Sequence, residues 1–205
     1  MRAKAATERL ETIRGELVDR FEETARVRNW NVFRTSSVEE SIGYMADLAG
    51  RLGISKAARA DQPVFAELAV DSALQNTGIE LFVAAHDEST SDLRVRQQII
   101  ESGLGITGAD YAVAETGSVV VLPRKGLSRL VSLVPPVHLA IVRAKDLVES
   151  IDDVFLFRRL EYLHKGGDMG SYLNFITGPS RTADIEMKLV VGVHGPREVH
   201  LVLLA

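Results

Sequence analysis

A chain of 205 residues, 46% hydrophobic and 25% charged with a net charge of −4, has the makeup of a soluble globular protein, either one domain or one domain with a helical arm. Its well-mixed charge excludes a nucleic-acid binder working through a broad basic surface, though not a small basic pocket, and the lack of cysteine excludes disulfides and thiolate ligation of an iron–sulfur cluster or zinc. No apolar run reaches the ~20 residues of a membrane span, and the opening MRAKAATERLETIRGEL has no signal-peptide core and has early acids at Glu8, Glu11 and Glu16, so the cytoplasm is the expected compartment.

Leu10, Ile13, Leu17, Phe21 and Ala25 recur at steps of three and four, which predicts one amphipathic helix within the first 28 residues, with Thr7 as its cap. Ser36 with Glu39, and Ser37 with Glu40, have the spacing of a capping box. They open a second helix with Ile42, Met45, Ala49 and Leu52 on its inner stripe and Gly53 as its end. Residues 61–75 carry a weaker helical pattern, with Pro63 acceptable in a first turn.

From there the pattern alternates. IELFVAA (79–85) suits a buried strand, and SDLRVRQQIIES (91–102) suits a helix capped by Ser91. DYAVAETGSVVVLP (110–123) reads as strand, glycine turn, strand. PVHLAIVRA (136–144) is another buried strand, residues 145–163 a helix, and SYLNFITG (171–178) a strand. TADIEMKLVVG (182–192) reads as a helix ending at Gly192, and REVHLVLLA (197–205) as a strand. Strands alternating with helices imply an α/β sandwich with a mostly parallel sheet. The natural boundary falls near residue 55, dividing an N-terminal helical extension (1–55) from the α/β body (56–205).

Two segments carry candidate chemistry, and both are expected at the carboxyl ends of sheet strands, where open α/β folds bind ligands. The first is TGPSRTADIE (177–186). Gly178 permits a sharp turn, Ser180 or Thr182 can cap a helix, and the free amides of a helix start attract anions. Arg181 adds a fork of donors suited to a carboxylate or phosphate. The same residues equally describe a plain capped helix with a surface arginine.

The second is AETGSVVV (114–121), in which Glu115 precedes the small turn Thr116-Gly117-Ser118 within an apolar context. A desolvated Glu115 would be a usable acid, base or nucleophile; the alternative is a solvent-facing hairpin tip. His86, His194, Asp110, Asp184 and Glu186 could be imagined around a metal, but no two histidines have the spacing of a ligand pair. Asp110, Asp184 and His194 therefore stand as secondary candidates for ligand contact.

Taken together, AETGSVVVLP, SLVPPVHLAIV and ITGPSRTADIEMKLVVGVHGPREVHLVLL resemble the LUD-domain proteins, in particular the LutC/YkgG lactate-utilisation family. The resemblance implies a three-layer α/β/α sandwich similar to the NagB/RpiA/CoA-transferase group. It also implies a part in oxidising L-lactate to pyruvate beside iron–sulfur oxidoreductase partners, this chain binding no cofactor and offering a site for a small carboxylate or phosphate. Distant relatives of that fold use a glutamate nucleophile, which invites comparison with Glu115 but is a fold-level analogy. Two other readings remain: a stand-alone CoA-transferase-like or sugar-phosphate-isomerase-like enzyme, and a non-catalytic ligand sensor or scaffold.

Overall fold

The computed structural model describes residues 2–85, 92–122, 129–165, 172–183 and 188–205. The chain opens with helices α1 (Arg2–Thr12) and α2 (Arg14–Val27), strand β1 (Asn31–Thr35), α3 (Val38–Arg51) and β2 (Lys56–Ala60). Next come α4 (Pro63–Glu67), α5 (Val70–Gln75), β3 (Glu80–Ala84), α6 (Asp92–Glu101) and β4 (Leu104–Gly108). A hairpin of β5 (Tyr111–Val113) and β6 (Ser118–Val121) precedes a 3-10 turn at Arg129–Ser132 and β7 (Val137–Arg143). The remainder comprises β8 (Leu147–Val148), α7 (Ile151–Lys165), β9 (Asn174–Ile176), β10 (Arg181–Thr182), β11 (Val190–Val191) and β12 (Glu198–Leu204).

Six strands form one sheet in the order β1-β12-β7-β4-β2-β3, every neighbouring pair parallel. The central strands β7 and β12 are nearly continuous apolar runs because both of their faces are covered. His200 stands opposite Leu139, so His138 and His200 project to opposite faces. His200 meets Tyr44 of α3, and His138 meets Thr107 and Trp30. Ala57 and Ala58 divide likewise: Ala58 packs with Val95 and Ile99 of α6 and with Val131, while Ala57 joins the main core. Helices on both faces make this a three-layer α/β/α sandwich.

A second sheet, β8-β5-β6-β9, is mixed, with β5, β6 and β9 antiparallel and β8 parallel to β5. β10 and β11 form a separate antiparallel pair. The hairpin expected around Gly117 is present, and Gly117 takes φ +66. The second helix also starts as its capping pattern implies: Ser37 Oγ accepts from the Glu40 N–H at 3.2 Å, and Gly53 ends it at φ +64. The Glu40 carboxylate, however, takes the Thr35 hydroxyl.

Several expectations are corrected. The first helix is two, broken at Ile13, and Thr7 lies inside α1 instead of capping it. The break lets Arg14 Nη1 donate to the Ala144 and Leu147 carbonyls at 3.0 and 2.8 Å. The weak helix over 61–75 is also two, separated where Ala69 adopts φ +48. β3 is the sheet's outer strand and only half-buried, since among the described residues nothing pairs with its far side.

The helix expected from residue 145 begins six residues later. Leu147 and Val148 are drawn into pairing with Ala112 and Val113, and Ser150 with Asp153 supplies the start of α7: Ser150 N–H to Asp153 Oδ2 is 3.1 Å. The strand over 171–178 is the short β9, and it joins β6 instead of the parallel sheet. No helix begins at Thr182: Arg181 and Thr182 pair with Val191 and Val190. The Ser91 cap, His86, Asp184 and Glu186 lie outside the described residues. The large sheet also draws on both sides of residue 55, because β1 pairs along its whole length with β12.

Candidate functional site

The hairpin turn is packed from within. Gly117 has to be glycine, since a Cβ there would lie 2.7 Å from the Ala25 nitrogen and 2.8 Å from the Thr24 oxygen at the end of α2. Its carbonyl accepts from Trp30 Nε1 at 3.1 Å, and Thr24 Oγ1 donates to the Ala114 carbonyl at 2.8 Å. Thr116 Oγ1 donates to Ser118 Oγ, and Ser118 Oγ lies 2.8 Å from Thr177 Oγ1. Glu115 points elsewhere. It is exposed, and its Oε1 accepts the Ile151 N–H at 3.3 Å, in the first turn of α7. Of the two readings of Glu115, its exposure fits the solvent-facing hairpin tip and not the desolvated carboxylate.

Thr177 begins the other nominated segment. The pairing of β6 with β9 sets Val119 opposite Ile176, so two stretches nominated separately from sequence lie side by side. Gly178, at φ +101, lies so close to α2's end that a Cβ would stand 2.1 Å from the Arg28 carbonyl oxygen. Ser180 then organises the loop after β11: its N–H donates to the Pro196 carbonyl at 2.9 Å, its carbonyl accepts the Gly192 N–H at 2.9 Å, and its Oγ accepts the His194 N–H at 3.2 Å. Arg181 and His194 are exposed, and Thr182 is partly covered. The helix-start amides expected to receive an anion are replaced by strand pairing at Arg181 and Thr182.

The position of this double loop also differs from expectation. Trp30 and Arg28 immediately precede β1, Pro196 precedes β12, and the Arg197 N–H donates to the carbonyl of Pro136, just before β7. The segment thus lies against the amino ends of the parallel strands, not the carboxyl ends. On the same edge is an open cleft of about 580 Å³, bounded by Leu52, Ile54, Lys56, Pro136, Val137 and Arg197 among others. Gly192, at φ +83, leaves room for Arg197, whose Cβ would be 2.5 Å from any side chain there. Lys56 Nζ is 3.2 Å from Glu101 and 3.8 Å from Glu80; the hydrogen bond to Glu101, then the charge of Glu80, raises its pKa. Sequence reasoning missed Lys56 because the strand carrying it was not recognised, and it did not single out Arg197, although GVHGPRE contains it.

At the carboxyl edge, the connections leave β2 toward β3 and β4 toward β7, so the strand order reverses between them. Gln62 fills that gap: its Oε1 accepts from the Gly108 N–H at 2.7 Å and its Nε2 donates to the Gly108 carbonyl at 3.1 Å. Among the described residues, Asp110 is the nominated one at this edge. Its Oδ2 accepts the Leu122 N–H at 2.7 Å, and it borders a cleft of about 200 Å³ with Arg143 and Lys145. Asp110 and His194 therefore belong to different edges. Among the described residues no group of three or more His, Cys, Asp or Glu converges to hold a metal ion.

Two buried histidines flank the central strands. His138 is fully enclosed, and burial pushes its pKa down to about 3. Its Nε2 is 2.8 Å from Thr107 Oγ1. His200 lies between the Tyr44 hydroxyl, 2.6 Å from Nδ1, and Glu198 Oε1, 2.8 Å from Nε2. Burial lowers its pKa, with Glu198 opposing. Tyr44 is stacked on Phe33 at 4.5 Å, so this chain of groups ties α3 to the large sheet.

The doubly covered parallel sheet with its appended hairpin sheet defines an α/β domain whose nominated loops sit at the amino edge. A model of the LUD domain matches residues 18–204, and the chain belongs to the LUD-domain family. Similar proteins include a "Lactate utilization protein C" from Halalkalibacterium halodurans, 39% identical over 66% of this chain and 56% of that one. Another of that name, from a Geobacillus species, is 36% identical over 70% of this chain and 60% of that one. The alignments thus span little more than half the length of these two relatives. A third, from Geobacillus thermodenitrificans, is 30% identical over 92% of this chain and 78% of its own length. The crystal structure of a DUF162-family protein from Deinococcus radiodurans shares the fold, with a TM-score of 0.64 at 20% identity over 93% of this chain and 97% of that one. Among the described residues no helix is long and apolar enough to cross a membrane.

Proposed function

We propose that the chain serves lactate utilisation, the role in its relatives' names, as a component that carries no redox centre of its own. It binds a small carboxylate at the amino edge of the large sheet and works with partner proteins that hold iron–sulfur clusters. Oxidising lactate to pyruvate releases two electrons and two protons. A chain without cysteine has no thiolates with which to hold the cluster that would accept those electrons.

The observation that supports the carboxylate site is the pairing of β6 with β9, bridged by Ser118 and Thr177. It holds the Thr116–Ser118 turn, of which only Thr116 is partly exposed, against the Gly178–Thr182 segment, next to a cleft bordered by Arg197. Arg181 and Arg197 offer the forked donors that carboxylates and phosphates take.

Calorimetric titration of the purified chain with L-lactate, pyruvate, phosphate and acetate tests this. Lactate or pyruvate is expected to bind, with at least a tenfold loss in Arg181→Ala. Binding that survives both Arg181→Ala and Arg197→Ala would remove the site from this edge. Full lactate oxidation by the chain alone would remove the division of labour.

A further inference from the structure

The outward face of α7 is unusual for a solvent-facing helix. Asp152, Phe155, Arg159, Tyr162 and Leu163 are all exposed, and at 100° per residue they fall within one stripe about 100° wide. Three of the five are large and apolar, with Phe155 50%, Tyr162 49% and Leu163 64% exposed. Such a stripe is ordinarily polar; a contiguous apolar one marks a contact surface. Phe155 also lies 6.5 Å from Phe175 of β9. Among the described residues β9 is the outer strand of its sheet, so the patch continues onto that strand.

The two charges on the stripe indicate what covers it. Neither Asp152 nor Arg159 makes an ion pair or hydrogen bond through its side chain among the described residues. They stand seven residues apart, ~10.5 Å along the axis, with Phe155 close to their midpoint. A second α7 laid antiparallel across a two-fold axis at that midpoint would set each Asp152 beside Arg159 of the other copy. The two Phe155 rings would meet between these pairs. A two-fold interface requires just this self-complementarity, one patch matching itself. A parallel copy would instead face Asp152 with Asp152.

We propose that the α7 face is a homodimer interface, occupied by a second copy of this chain. Sedimentation equilibrium of the full chain over a concentration series tests it, with circular dichroism as the check on folding, since all the residues changed are on the surface. The wild type is expected to dimerise. Phe155→Glu is expected to be monomeric, and Asp152→Arg or Arg159→Asp alone to weaken association about tenfold or more, as like charges then face one another. The combined Asp152→Arg, Arg159→Asp chain regains opposite-sign pairs and is expected to recover the dimer. A wild type that stays monomeric, or that captures only a different protein on this face, overturns the proposal. So does a dimer indifferent to Phe155→Glu, or a double variant as weak as the single ones.

Discussion

Ser118 Oγ and Thr177 Oγ1 lie 2.8 Å apart, and that contact joins the hairpin turn to the start of the Thr177–Thr182 segment. Ser118 is almost fully buried and also receives the Thr116 hydroxyl. Ser118→Ala is expected to cost about 1 kcal/mol, the usual net worth of such a bond when its partners can turn to water. Urea denaturation reads the loss. Faster amide exchange confined to residues 177–182 would show that Ser118 positions that segment.

Gly178 and Gly43 should respond oppositely to alanine. At Gly178 a Cβ meets the Arg28 carbonyl at 2.1 Å in a left-handed backbone, so Gly178→Ala is expected to destabilise by about 3 kcal/mol or to displace the loop. Gly43 is exposed within α3 with nothing within 4 Å of its would-be Cβ. Gly43→Ala should stabilise by roughly 0.5–1 kcal/mol through helix propensity. Paired melting curves check both.

Glu115 separates two readings of the chain. As found, its carboxylate accepts from the first turn of α7, where a negative charge is worth ~0.3–1 kcal/mol. Glu115→Gln is therefore expected to lower stability by less than about 1 kcal/mol and to leave lactate binding unchanged by calorimetry. Turnover by the isolated chain that collapses in this variant would instead support a stand-alone enzyme with a glutamate nucleophile.

Stability should fall as the solution is acidified from about pH 6.5, before most carboxylates titrate. His138 is held neutral by burial down to about pH 3, whereas in the unfolded chain it takes a proton near 6.5. Between those values the unfolded state binds the extra proton. The slope therefore approaches about 1.4 kcal/mol lost per pH unit for this one group. His200, lowered in the same direction, adds to it. His138→Asn should flatten the dependence between pH 6.5 and 4.5, as measured by urea denaturation at a series of pH values, leaving the contribution of His200.

The central strands β7 and β12 were legible because strands buried on both faces must be apolar almost throughout. β2 was not: KAARA has neither β-branched residues nor alternation. It is a strand because β3 and β4 pair with it on either side and because alanines let neighbouring layers approach closely. The stretch after Ser180 misled for a different reason. Gly192 resembles a helix terminator in sequence, yet here its missing side chain makes room for Arg197, a contact between residues that local periodicity cannot reveal. The candidate site was half legible. Its two segments were picked out by their small, turn-forming residues, but their contact depends on β9 pairing with β6 and not with the parallel sheet. Nothing in the spacing announces that departure.

The placement of β12 bears on how the protein is made. Glu198–Leu204 lies between β1 and β7, so β1, whose Asn31 pairs with His200, has no partner in the large sheet until that distant segment has been synthesised. Contacts so distant along the chain slow folding, and an unpaired strand invites association with other chains. During translation, α2 and α3, which pack beside β1, would have to shelter it until its neighbour arrives.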